Sequence, residues 1–325
     1  MNIKQLLYGI STYLPGLARF HSKGTGGTNS ARYCYAAWLR HLVMASKNGL
    51  FVSPPKIIGE LGPGDSIGIG LAALLSGAEM YYGMDVVEHA SLQQNIKILD
   101  ELVDLFRRRE IIPDEREFIN LRPHLDSYKF PSQLLTDDGL ASYLSEGRIK
   151  QIRNSLENCN SKVSMIRYVA PWYSSNLIEK ESVDMIYSQA VLEHVDDLRG
   201  AYQAMCLWLK PKGLISHQID FKCHGLADLW NGHWTFSDFT WRLMRGRRAY
   251  LLNREPHSTH TKLLREAGFE MVYDEKIEMP SKMRHEQLAA PFKNMLVEDM
   301  VISGAFVQAV KSCDPNNAFN DLKHN

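Results

Sequence analysis

Three scarcities limit what this chain can be. No apolar run in its 325 residues approaches the roughly 20 needed to cross a membrane as a helix. There is no excess of either charge, since Lys+Arg and Asp+Glu each total 37, and this argues against a broad basic surface of the kind that holds nucleic acid. Cysteine is sparse: Cys34, Cys159, Cys206, Cys223 and Cys313 contain no Cys-x-x-Cys pair, so neither a disulfide framework nor a zinc knuckle is indicated, and a reduced, cytoplasmic setting is expected. Internal repeats and low-complexity blocks are also lacking. What is present, 45% hydrophobic and 23% charged residues, is enough to bury a full α/β core in one main domain with insertions.

The richest stretch is Lys56 to Val86. Ile57 and Ile58 open a short apolar strand ending at Glu60-Leu61, Gly62-Pro63-Gly64 makes a tight turn, and Asp65 and Ser66 offer N-caps for a helix over Ile67–Leu75. Gly77 stops that helix. A second strand, Met80–Met84, delivers Asp85 23 residues after Gly62, where an acid can bind both ribose hydroxyls of an adenosine. The glycines let a ligand approach the backbone, which a Cβ would prevent. A carboxylate at Glu60 would repel a pyrophosphate and suits a cationic amino acid and sulfonium better.

Glu60-Leu61-Gly62-Pro63-Gly64, followed by Asp85, resembles the first motifs of the class I S-adenosylmethionine-dependent methyltransferases. Other landmarks resemble the same family in order and spacing: the strand Ser182–Ala190 with Asp184 near its start, the helix start Leu192-Glu193-His194, and the Lys210-Pro211-Lys212-Gly213 entry to a fifth strand, Leu214–Phe221. The resemblance covers about Lys56 to Leu214. It implies an α/β fold with a Rossmann-like sheet of seven strands, the last two an antiparallel hairpin, and S-adenosyl-L-methionine as cofactor. The implied cofactor residues are Glu60, Gly62, Gly64, Asp65, Ser66, Asp85, Ser188 and Gln189. After the third strand, Val163–Val169, family members often carry an acid for the adenine amino group; here Ala170-Pro171-Trp172-Tyr173 follows, leaving backbone or stacking on Trp172.

The rest of the chain frames that core. Residues 1–50 read as a helical or lid segment, 51–312 as the methyltransferase domain, and 313–325 as a polar tail. Met1–Phe20, with Lys4 and Pro15, reads as an amphipathic helix over the core or in peripheral contact with a membrane, in preference to a signal peptide. Gly24-Thr25-Gly26-Gly27 reads as a linker or a cover over the cofactor, leading into an aromatic helix, Ala31–Ala45. His89–Arg109 carries a helical apolar stripe. An insertion of about 110–160, with a helical pair from Thr136 to Leu156, is long enough to cap a substrate pocket or form an interface. Further on come a helix at His257–Ala267, strands at Met271–Ile277 and Met300–Val310, and a helical insertion near Arg284–Val297.

Methyl transfer from a sulfonium needs an aligned acceptor and, for a hydroxyl, a base. His194, His217, Asp220, His224 and His233 fall near the ends of strands four and five; His194 and His224 rank first as acid/base groups, with Asp220 orienting. His217, Asp220 and His224 also form a metal-type set, but strand alternation points 217 and 220 to opposite faces, so no metal is expected. Trp230, Trp234 and Trp241 are candidates to line a sugar site, and Arg242, Arg245, Arg247 and Arg248 either bind an anion or form a solvated helix end. Ser188-Gln189-Ala190-Val191 lacks the Asn/Asp-Pro-Pro-aromatic pattern of base-amine methylation, which disfavours nucleic acid. The segment rich in Trp, His and Arg favours O-methylation of a saccharide or similar small acceptor. Two other classes remain: an NAD-dependent oxidoreductase, which would need a Tyr-x-x-x-Lys dyad that no tyrosine here supplies, and a non-catalytic nucleotide-binding protein.

Overall fold

The computed structural model describes residues 3–13, 27–51, 53–172, 175–248 and 251–312. Its centre is a seven-stranded sheet in the order β3-β2-β1-β4-β5-β7-β6. The strands are β1 (Ile57–Leu61), β2 (Met80–Met84), β3 (Ile166–Val169), β4 (Val183–Gln189), β5 (Leu209–Asp220), β6 (Phe269–Glu278) and β7 (Ile302–Lys311). The first five run parallel, while β7 lies antiparallel between β5 and β6. A plain dinucleotide fold would extend the parallel order through its sixth strand. The inserted antiparallel β7 is the arrangement expected for the methyltransferase sheet.

Side chains alternate across the strands and fill two apolar layers. Ile58, Tyr81, Met185 and Tyr187 face a core built with α2 (Ala31–Lys47), α3 (Gly68–Leu74) and α4 (Leu92–Arg107). Ile186, Ile215 and Val307 face the other, with α7 (Leu198–Trp208) and α9 (His257–Glu266). The insertion folds as α5 (Asp137–Tyr143) and α6 (Glu146–Glu157), close to the expected helical pair. Two further helices, α1 (Ile3–Ser11) and α8 (Asp238–Arg245), pack on each other.

Several expected boundaries shift. Strand β3 begins at Ile166 rather than Val163, whose side chain is exposed and has no core to join. Strand β5 begins at Leu209, with the lysine-rich turn absorbed as an irregularity in its pairing with β4. Asp65 and Ser66 do not occupy the cap position of α3. That place falls to Ile67, although Ser66 Oγ accepts from Gly68 N at 3.0 Å and Asn95 Oδ1 accepts from Ile67 N at 3.1 Å, so the exposed donors are met by neighbours. Residues 284–297 form short 3₁₀ turns, not a longer helical insertion. The polar tail, 313–325, and Gly24 to Gly26 lie outside the described residues.

The aromatic helix α2 is a buried member of the main core. Its two buried polar groups tie distant segments together. Arg40 donates to the carbonyls of Pro113 (2.7 Å) and Pro123 (3.0 Å), anchoring the insertion. His41 bonds Ser216 Oγ at 2.7 Å and Gln189 Oε1 at 2.9 Å, reaching the carboxyl edge of β4 and β5.

Candidate active site

The register sets Leu61 beside both Met84 and Ser188, so the turn after β1, Asp85 and the end of β4 emerge at one edge of the sheet. Gly62 and Gly64 adopt φ of +63° and +73°, a left-handed geometry that a side chain would strain. A Cβ on Gly62 would also meet Val191 Cγ1 at 2.6 Å. Asp85 Oδ2 accepts from Gly64 N at 3.0 Å and Oδ1 from Val86 N at 2.7 Å. Each carboxylate oxygen keeps a further lone pair for a hydroxyl donor. The carbonyl of Thr28, in a short 3₁₀ turn at Gly27–Asn29, accepts from Ser66 Oγ, and Gln94 Nε2 holds Asn29 O at 2.9 Å. The end of the glycine-rich stretch therefore lies against this turn, and the buried Thr28 Oγ1 has no hydrogen-bond partner there.

Other sequence-derived cofactor residues are placed differently from the expectation. Glu60 is sunk in the core, accepting from Tyr81 OH at 2.6 Å; burial, opposed by that bond, pushes its carboxyl up to about 8. It shapes the floor beneath the turn rather than facing a cation directly. Ser188 is also buried, its Oγ bonded to His217 Nδ1 at 2.8 Å. Gln189 is held between His41 and Gln218. Trp172 donates its backbone N–H to Asp85 O at 3.1 Å and packs edge-on against Trp208 at 5.7 Å.

The acid/base candidates gather where β4 and β5 end. Asp220 Oδ2 lies 3.3 Å from His224 Nε2 and from Lys222 Nζ, and it accepts the Lys222 backbone N–H through Oδ1 at 2.8 Å. Burial opposes its ionisation, but these partners hold the carboxyl below its ordinary value. His194 lies tilted beside His224, ring centroids 5.5 Å apart; burial, then the neighbouring imidazole, drops it to about 4. His217 is occupied with Ser188, apart from the Asp220–His224 pair, and among the described residues no group of three His, Cys, Asp or Glu side chains is arranged to hold a metal.

Glu193 is a residue that sequence reasoning passed over, although it directly precedes His194. Its buried carboxyl has both oxygens unpartnered, and the buried His233 Nδ1 and Arg254 Nε are unpartnered as well. Glu193, Asp220, Phe221, His233, Asn253 and Arg254 line a cavity of about 10 Å³, room for about one water. A second cavity of about 50 Å³ is lined by Asn120, Arg122, Gln218, Asp220, Lys222 and Ser303. Gln218 anchors the insertion there, accepting from Arg122 N at 2.7 Å and donating to Asn120 O at 3.1 Å. The tryptophans do not line this site as expected. Trp234 and Trp241 are buried packing residues, the first donating to Arg254 O at 2.9 Å and the second lying 4.7 Å under the Arg254 guanidinium, while Trp230 donates to Pro280 O.

A family model described as a methyltransferase domain matches residues 141–216. Solved structures with similar shapes include an S-adenosylmethionine dependent methyltransferase from Mesorhizobium loti, at 14% identity over 85% of this chain and 97% of that one, with a TM-score of 0.39. A SAM-dependent methyltransferase from Methanosarcina mazei shares 12% identity over 83% of this chain and 98% of that one, with a TM-score of 0.42. Phosphoethanolamine N-methyltransferase 2 from Haemonchus contortus, solved with S-adenosyl-L-methionine, shares 12% over 87% and 57%, with a TM-score of 0.41. No curated protein sequence matches. Residues 141–216 thus match a methyltransferase domain, and the sheet order is the one expected for the S-adenosylmethionine-dependent members of that fold, for which S-adenosylmethionine is the cofactor.

Proposed function

We propose that this domain methylates a hydroxyl oxygen of a small hydroxylated acceptor, such as a saccharide, with His224 as the base and Asp220 as its orienting partner. The observation that carries the reading is the Asp220–His224 contact at the open end of β5, beside buried polar groups that still lack partners. With His224 Nε2–H directed at Asp220, its Nδ1 keeps the lone pair that takes the acceptor's proton. The bound cofactor would supply the methyl group and carry away the sulfur as a neutral thioether. Gly62, Gly64 and Asp85 would hold its adenosine, and Glu193, His233 and Arg254 line a polar recess beside Asp220 with room for about one water.

The test is methyl transfer from labelled cofactor to a panel of methyl glycosides. His224→Ala and Asp220→Asn are each expected to lower kcat/KM about a hundredfold, within the range for a lost general base, with cofactor affinity unchanged. Transfer rates within twofold of the parent protein in both variants would remove His224 and Asp220 from the chemistry.

A further inference from the structure

The helical pair α1 and α8 presents apolar side chains on a face that stays exposed among the described residues. Leu6 and the buried Gly9 turn α1 towards α8, and a Cβ on Gly9 would strike Met244 O at 2.1 Å, so the two backbones are in direct contact. The solvent side of a helix docked in this way is ordinarily polar. Here Ile3, Leu7 and Ile10 follow the i, i+4, i+7 spacing of one stripe and are exposed, Ile3 at 64% and Leu7 at 61%. Exposed Tyr13 follows them, and Phe239 on α8 is 69% exposed. Scattered exposed aliphatics are common, but a stripe of three along one short helix is a feature of interaction surfaces.

The charge around that stripe is mainly positive, the acids there being Asp238 at the start of α8, paired with Arg254, and Asp196. Residues 1–13 and 239–248 contain no Asp or Glu, whereas they carry Lys4, Arg242, Arg245, Arg247 and Arg248. Arg245 is engaged with Asp196, but Arg242 and Arg247 are exposed. The Arg247 guanidinium sits 5.6 Å over the Tyr13 ring and that of Arg248 5.0 Å over Tyr8, which fixes cationic groups against α1. An isologous contact between two copies would bring these arginines towards their own equivalents, a like-charge arrangement that disfavours self-association. Aliphatic and aromatic side chains flanked by arginines match the chemistry of a bilayer interface bearing anionic headgroups.

We propose that the α1–α8 face docks reversibly on an anionic lipid surface, with Ile3, Leu7 and Ile10 entering the interface and Arg242 and Arg247 meeting headgroup phosphates. The inference is independent of which acceptor is methylated. Docking is separable from folding, because the stripe points away from the core.

The experiment is co-sedimentation of the full chain with phosphatidylcholine vesicles and with mixed phosphatidylglycerol–phosphatidylcholine vesicles, alongside size-exclusion light scattering. The parent protein is expected to pellet with the mixed vesicles only, and to be released by added salt. A triple variant, Ile3→Ser with Leu7→Ser and Ile10→Ser, and a double variant, Arg242→Glu with Arg247→Glu, are each expected to lose at least about tenfold in vesicle affinity while keeping the parent melting temperature. Failure to pellet with phosphatidylglycerol, or pelleting that neither variant weakens, overturns the proposal. Concentration-dependent dimerisation abolished by the triple variant also overturns it, assigning the face to a second copy of the chain.

Discussion

Asp85→Ala is expected to weaken S-adenosylmethionine binding about a hundredfold while leaving the protein folded. The substitution removes the carboxylate that we propose accepts from the two ribose hydroxyls, and two charge-assisted hydrogen bonds of about 1.5–3 kcal/mol each are at stake. It also frees the backbone N–H groups of Gly64 and Val86, so the turn after β1 loses the contact that fixes its left-handed glycines. Asp85→Asn keeps an acceptor in place and is expected to lose less than Asp85→Ala. Titration calorimetry on the three proteins checks this, with the melting temperature as the fold control. An affinity within threefold of the parent protein for Asp85→Ala would show that Asp85 does not hold the ribose.

Acid is expected to unfold this protein early, with stability greatest near pH 6.5. Burial lowers His41 to about 4 and, with His224's charge, His194 likewise; burial takes His217, His233 and His260 to about 3. From the ordinary value of 6.5 down to those values the unfolded chain binds protons that the folded chain refuses, so the stability these imidazoles give is full above pH 6.5 and is lost as pH falls. Glu60, raised to about 8 by burial, and Glu193, raised by burial and by the charge of Asp220, work in the opposite direction. Each retains a proton in the folded state that the unfolded chain releases near 4.5, so its contribution is present below that pH and declines as pH rises towards its folded value. Five imidazoles outweigh two carboxyls below pH 6.5, and at about 1.4 kcal/mol per proton and pH unit the limiting slope is roughly 4 kcal/mol per unit. Against a typical stability of about 5–15 kcal/mol, two units of acidification below pH 6.5 remove roughly 8 kcal/mol, enough to unfold a domain in the lower part of that range. Urea denaturation at pH 7 and pH 5 checks this: the midpoint should fall steeply, and Glu60→Gln should flatten the alkaline side while steepening the fall between pH 6.5 and 4.5. Equal midpoints at pH 7 and 5 would mean that the buried imidazoles are not held neutral.

The parts of this fold that could be read in the sequence are those whose signals are local. Ile57-Ile58 followed by Gly62-Pro63-Gly64 marks a strand and its turn within a few residues, and β1 and β2 fall at the expected positions. The convergence of His194, Asp220 and His224 was approachable because all three stand at the ends of adjacent parallel strands. Partnerships across the fold were not legible. Glu60 meets Tyr81 because β1 and β2 pair, and His41 meets Gln189 and Ser216 from a helix that reads as a lid but packs as core. Trp234 and Trp241 show the limit of composition: an indole beside histidines and arginines suits a sugar platform or a buried wedge equally, and only burial distinguishes the two.

The most direct test of the account is titration calorimetry of the purified chain with S-adenosylmethionine and, separately, with NAD. Micromolar binding of S-adenosylmethionine with no heat from NAD is the expected result. Binding of NAD, or of neither ligand, would contradict the assignment of the turn at Gly62–Gly64 and Asp85 as an S-adenosylmethionine site.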